Sequence, residues 1–209
     1  MRNLLVPALV AAFTCTAAAA ATIAELNFDE GDGTSTANQA PDGPGTSITG
    51  ATWADGEDGK ALEFKGPDYS GPYRPPGTFV TLNDSAGLNP NGKVTVAVSV
   101  YPTFNPVAWG GIVEKGVGYG SSFRLLMLRN GKVRAAVGNE HLTVDSPEPL
   151  ELDAWTRLEM TFDGKTLALS VGGTEVAKTA AKPESMASEA SIEIGRRFTG
   201  RIDNVMIEY

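Results

Sequence analysis

Apolar and polar residues alternate along most of the chain. Residues 93–101 read KVTVAVSVY, which puts Val94, Val96, Val98 and Val100 on one face and Thr95, Ala97 and Ser99 on the other. RLEMTF sets Leu158, Met160 and Phe162 against Arg157, Glu159 and Thr161. KTLALSV does the same with Leu167, Leu169 and Val171. A period of two is the mark of strands with one face in a core. Turn signals punctuate the runs: Asn91 with Gly92, Asn130 with Gly131, Asp163 with Gly164, and Gly172 with Gly173. Such pairs tolerate the positive φ angles of tight turns.

Read this way, the chain holds about fourteen short strands and no long amphipathic helix. Short strands between turn signals predict an all-β antiparallel sandwich or barrel. Two loops are long and rich in Gly and Pro: GDGTSTANQAPDGPG near the start and KGPDYSGPYRPPG in the middle. The second cannot be a central strand, because proline cannot donate to a sheet ladder; it is expected to project at the rim. In the closing segment IEIGRRFTGRIDNVMIEY, Asp203 shares strict alternation with Val205, Ile207 and Tyr209. That parity places a carboxylate among apolar side chains, where it has to be paired, hydrogen-bonded or bound to a metal.

The first 21 residues break the pattern. MRN, LLVPALVAAF and the small residues before Ala21 read as a secretory signal peptide, too short for a membrane span. The expected division is therefore a signal peptide over 1–21 and one domain over 22–209, secreted or periplasmic, with no membrane insertion after cleavage. The single cysteine, Cys15, lies in the leader, so disulfides are not expected. The net charge of −8, with no block of like charge, argues against nucleic acid and anionic membrane surfaces.

Several phrases, taken in order, resemble the laminin-G-like branch of the concanavalin A-like lectin and glucanase jelly rolls. They are LNFDEGDGTSTANQA, ATWADGEDGKALEFKG, GGIVEKG with SSFRLLMLRNGKVRAAV, and AWTRLEMTFDGKTLALSVGGTEVA running to the chain's last residues. The resemblance implies a two-sheet antiparallel jelly-roll sandwich with the first and last strands adjacent. It also implies that the aspartate of the closing G-x-I-D-x-V phrase, Asp203, is a calcium ligand, with Asp29, Glu25, Asn38 and Asp42 as further oxygen donors. Calcium takes six to eight oxygens, and a loop rich in Gly and Asp suits it. Relatives often have aspartate where Asn38 stands.

Fold alone does not fix activity. Glucanases of this architecture carry three acids in the pattern E-x-D-x-(x)-E on one strand face. The nearest phrase, ELDAWT, has Glu151 and Asp153 but no third acid. One histidine, His141, leaves little for a lyase, a Ser-His-Asp hydrolase or a zinc site. The expectation is a secreted non-catalytic binding or adhesion module for a glycan or a cell-surface protein, with a purely structural or protein-interaction domain without glycan binding as the alternative and a polysaccharide-active enzyme as a third reading. Aromatics stack on sugar faces, so Tyr69, Tyr73, Trp109 and Tyr119 are the candidate contacts. Arg74 joins them, and Arg124, Arg196 and Arg197 are further donors to hydroxyls or carboxylates. Trp53 and Trp155, at strand starts, are assigned to the core.

Overall fold

The computed structural model describes residues 20–67, 77–83, 88–116, 121–138 and 142–209. Among these residues all regular structure is strand, in two antiparallel sheets. The eight-stranded sheet runs β13 (Thr174–Ala180), β12 (Thr166–Val171), β11 (Thr156–Phe162), β6 (Val94–Pro102), β15 (Gly200–Glu208), β4 (Lys60–Phe64) and β3 (Thr52–Asp55). Its eighth strand, β1 (Thr22–Leu26), also pairs with β15. The seven-stranded sheet runs β10 (Leu142–Asp145), β9 (Val133–Val137), β8 (Phe123–Leu128), β7 (Trp109–Lys115), β14 (Ile192–Ile194), β5 (Phe79–Leu82) and β2 (Thr46–Thr49).

The alternating runs form the strands expected of them. Val94, Val96, Val98 and Val100 all point into the core, as do Leu158, Met160, Phe162, Leu167 and Leu169. The second sheet answers with Phe123, Leu125, Met127, Val133, Ala135 and Val137. Fully burying each large apolar side chain contributes about 1.5–3 kcal/mol, which makes this layer the main stabilising element. Gly131 and Gly164 adopt positive φ in their hairpins, as their turn pairs require. Trp53 and Trp155 are only half-buried: Trp53 packs against the edge of the core, and Trp155 lies tilted against Tyr101.

β15 is the centre of the first sheet. On one side it pairs with β6 along its length. On the other it pairs with β4 through Gly200, Arg201 and Ile202, then with β1 from Val205 to Glu208. The change of partner occurs at a bulge between Asp203 and Met206, where Asn204 takes a φ of 50°. The extra residue resets the alternation. Ile202, Val205 and Ile207 face the core, whereas Asp203 lies opposite Ser99 on the outer face. Asp203 therefore does not share a face with Val205 and Ile207, contrary to its place in the sequence pattern.

Candidate functional site

The outer face of the seven-stranded sheet holds a cluster of charged and aromatic side chains. On β8, Phe123, Leu125 and Met127 point inward, so Arg124 points out. Its register partner on β7 is Glu114, and Glu193 on β14 stands opposite Glu114 in turn. Two more arginines arrive from the turn between β14 and β15. Gly195 and Arg197 have φ of 81° and 64°, and the Phe198 amide closes the turn on the Gly195 carbonyl at 3.0 Å. Phe198 is buried, which anchors the turn.

This turn lies flat on β7 because β7 begins with two glycines after Trp109. The Gly111 amide donates to the Arg196 carbonyl at 2.7 Å. A Cβ at Gly111 would sit 2.7 Å from Glu114 Oε1 and 3.0 Å from the Arg196 carbonyl. Consecutive arginines are thereby splayed to two places. Arg196 pairs with Glu193 and lies 4.0 Å over the Phe79 ring. Arg197 donates to Glu114 Oε1 at 3.1 Å and lies 5.5 Å from the Trp109 ring centroid. Arg124 donates to the other Glu114 oxygen at 3.3 Å and lies 5.8 Å from the same ring. Glu114 is 1% exposed, Arg124 is 5% exposed and Trp109 is 43% exposed. Burial pushes the Glu114 carboxyl above its ordinary value, against the pull of Arg197 and Arg124. Even so, Nη2 of Arg124 and Nε of Arg197 are buried without an acceptor. Beside Trp109 and Arg197 lies a cavity of about 70 Å³, walled by Pro67, Phe104, Pro106, Val107 and Thr199 among others.

The second cluster surrounds Asp203 on the outer face of the other sheet. One carboxylate oxygen accepts the Glu57 amide at 3.0 Å, and the other accepts the Asn204 amide at 2.7 Å. Asp29 accepts the Lys60 amide at 3.0 Å, so the two aspartates grip opposite ends of the turn at residues 56–60. Gly56 is required there, because a Cβ would stand 2.7 Å from Asp203 Oδ2. Burial raises the Asp203 carboxyl, and the Asp29 charge adds to the shift.

Asn38, Glu25 and Asp42 lie elsewhere or face solvent. The Asn38 amide accepts from the Glu25 and Ala40 amides and donates to the Ile23 and Pro44 carbonyls, latching the long first loop to β1. Glu25 and Asp42 are exposed, the latter at a φ of 56°. Among the described residues no group of three or more His, Cys, Asp or Glu side chains is close enough to hold a metal. Of the expected aromatic contacts, Trp109 is exposed as anticipated. Tyr69, Tyr73, Arg74 and Tyr119 lie outside the described residues. Sequence reasoning named the arginines and made no assignment for Glu114 or Glu193, which become neighbours only through the pairing of β7 with β14.

A family model described as the concanavalin A-like lectin/glucanases superfamily matches residues 76–208. No curated protein matches the sequence. Among solved structures, domain 4 of AbnA, a GH43 extracellular arabinanase from Geobacillus stearothermophilus in complex with arabinotriose, is 18% identical with a TM-score of 0.61. The match covers 90% of this chain and 92% of that one. A botulinum neurotoxin type C structure, whose cell entry is described as dependent on two ganglioside molecules, matches at 10% identity and a TM-score of 0.64, over 90% of this chain and 47% of that one. Trypanosoma rangeli sialidase matches at 14% identity and a TM-score of 0.64, over 90% of this chain and 30% of the enzyme. The chain thus spans about half of the toxin structure and less than a third of the sialidase. At these identities the likeness is one of fold.

Proposed function

The chain belongs to the concanavalin A-like lectin/glucanase superfamily, and on that premise we propose that it is a secreted or periplasmic, non-catalytic module that binds glycan through the surface around Trp109. The observation that carries this reading is an indole left 43% exposed beside two guanidinium groups on the outer face of a sheet. An exposed aromatic face next to polar donors is what pyranose recognition needs. The relatives described with arabinotriose and with gangliosides lend support from the same fold.

The absence of catalysis in this proposal rests on access. Glu114 and Glu193 face each other on neighbouring strands, and a retaining glycosidase uses two carboxylates about 5 Å apart. Yet Glu114 is buried and shared by two arginines, and Glu193 is held by Arg196. Neither is presented to a glycosidic oxygen. A glycan array with wild type and Trp109→Ala tests the proposal. Wild type should retain at least one polysaccharide class that the variant releases. Retention of none, with binding to a cell-surface protein instead, would favour a protein-interaction domain.

Calcium enters as a structural ion at the junction of β1, β4 and β15. Asp29 and Asp203 would supply its carboxylates, with backbone oxygens of the neighbouring turn completing a hard-cation set. What supports it is the pair of carboxylates on one turn, the buried one with its acidity weakened by the other. Asn38 has no part in this reduced set. Calcium should raise the melting temperature, chelator should lower it, and Asp203→Asn should remove the difference. Indifference of wild type to both would leave Asp203 as a hydrogen-bonded anchor.

A further inference from the structure

Among the described residues, the charge count around Trp109 does not balance. Arg124, Arg196 and Arg197 face Glu114 and Glu193, an excess of one cation in a chain whose net charge is −8. Arg196 is neutralised by Glu193. The surplus therefore falls on Arg124 and Arg197, which share the single carboxylate of Glu114. Both guanidiniums also keep a buried N–H without an acceptor. Buried donors in native proteins are nearly always satisfied, and an orphan calls for an explanation. Arg124 is only 5% exposed, so solvent does not supply the missing acceptor.

The adjoining cavity restricts what could. At about 70 Å³ it falls well short of the roughly 300 Å³ at which drug-sized ligand pockets begin. It admits a substituent and not a sugar ring. The ring has to lie outside, on the exposed face of Trp109, while the substituent enters between Val107, Thr199 and Arg197.

We infer that the site takes a carboxylated saccharide, with the uronate-type ring on Trp109 and its carboxylate in the small cavity against Arg197. This rests on the glycan-binding reading and narrows it to one chemical class. Guanidinium matches carboxylate geometry and forms the stronger, charge-assisted kind of hydrogen bond. The negative charge of the whole chain opposes long-range attraction of a polyanion. Selectivity is therefore a short-range property of this one contact.

The test compares oligogalacturonate, its methyl ester and neutral galactan as ligands for the wild-type chain in calorimetry. The free acid should bind about tenfold or more tightly than the ester, the range a charge-assisted hydrogen bond confers. Arg197→Gln should bring the ratio of acid to ester affinity toward one, and Arg197→Lys, which keeps the charge but loses the fork, should retain part of it. Melting curves of both variants establish that they are folded. Equal affinity of wild type for acid and ester would overturn this inference while leaving glycan binding intact. So would an unchanged ratio in a folded Arg197→Gln. Failure to bind any of the three, together with an empty glycan array, would remove both readings.

Discussion

Asp203 and Glu114 are both buried carboxylates on an outer sheet face, and burial pushes both above the ordinary carboxyl value, weakening them as acids. Their partners differ in kind. Asp203 is met by backbone amides from the turn it organises and from its own bulge. Glu114 is met by two arginines, each of which still carries an unsatisfied N–H. The first arrangement closes on itself and ties three strands together. The second is left one acceptor short beside an exposed indole. The first set reads as a structural joint, to which the proposed calcium would belong, and the second supports the ligand site proposed at Trp109.

Removing each carboxylate should separate the two roles. Asp203→Ala should have the largest effect on stability. It leaves the Glu57 and Asn204 amides without an acceptor, at about 1–3 kcal/mol for each buried group, offset in part by relief of the buried charge. A loss of about 2 kcal/mol or more in urea unfolding, at unchanged slope, is the expected outcome. A loss below about 0.5 kcal/mol, the range of ordinary surface changes, would mean that Asp203 is no joint.

Glu114→Gln should act through pH. A carboxyl whose folded value is raised above its ordinary 4.5 favours folding fully below the unfolded value and loses that contribution as pH rises through the folded one. Wild type should therefore gain on the Gln variant as pH falls from neutral toward 4.5, read as the difference in unfolding free energy. The opposite trend would show that Arg124 and Arg197 outweigh burial. Smallest of all should be the stability effect of Trp109→Ala, within about 0.5–1 kcal/mol because the residue lies outside the core and is 43% exposed. A larger loss would make Trp109 a packing residue and blunt the contrast.

The fold was legible because period-two alternation survives in nearly every strand, and because turn glycines stand where positive φ is needed. The adjacency of β1 and β15 followed from the family likeness, not from any local signal. The facing of Asp203 was misread because the bulge depends on one left-handed residue, Asn204, which carries no mark in the pattern. Trp109 was legible as an aromatic beside a Gly-rich strand start. Glu114 and Glu193 were not, since only the pairing of β7 with β14 makes neighbours of residues far apart in sequence. Asn38 was assigned by likeness to a metal set. Its amide, with both donor and acceptor capacity, instead serves four backbone groups, a task no carboxylate could perform.

The pairing of β1 with β15 also sets how the domain bears load. The amide of Ala21 donates to Tyr209 at 2.9 Å and that of Tyr209 returns the bond at 3.0 Å, so these two residues are direct antiparallel neighbours. Tension applied between them pulls along the hydrogen bonds and parts the rungs singly, from the outermost inward. Pulling instead on the Trp109 surface and one of these residues spreads the force across both sheets. A tether at residues 21 and 209 is thus a weak point at which the sandwich peels open, and a grip on the Trp109 face is a strong one.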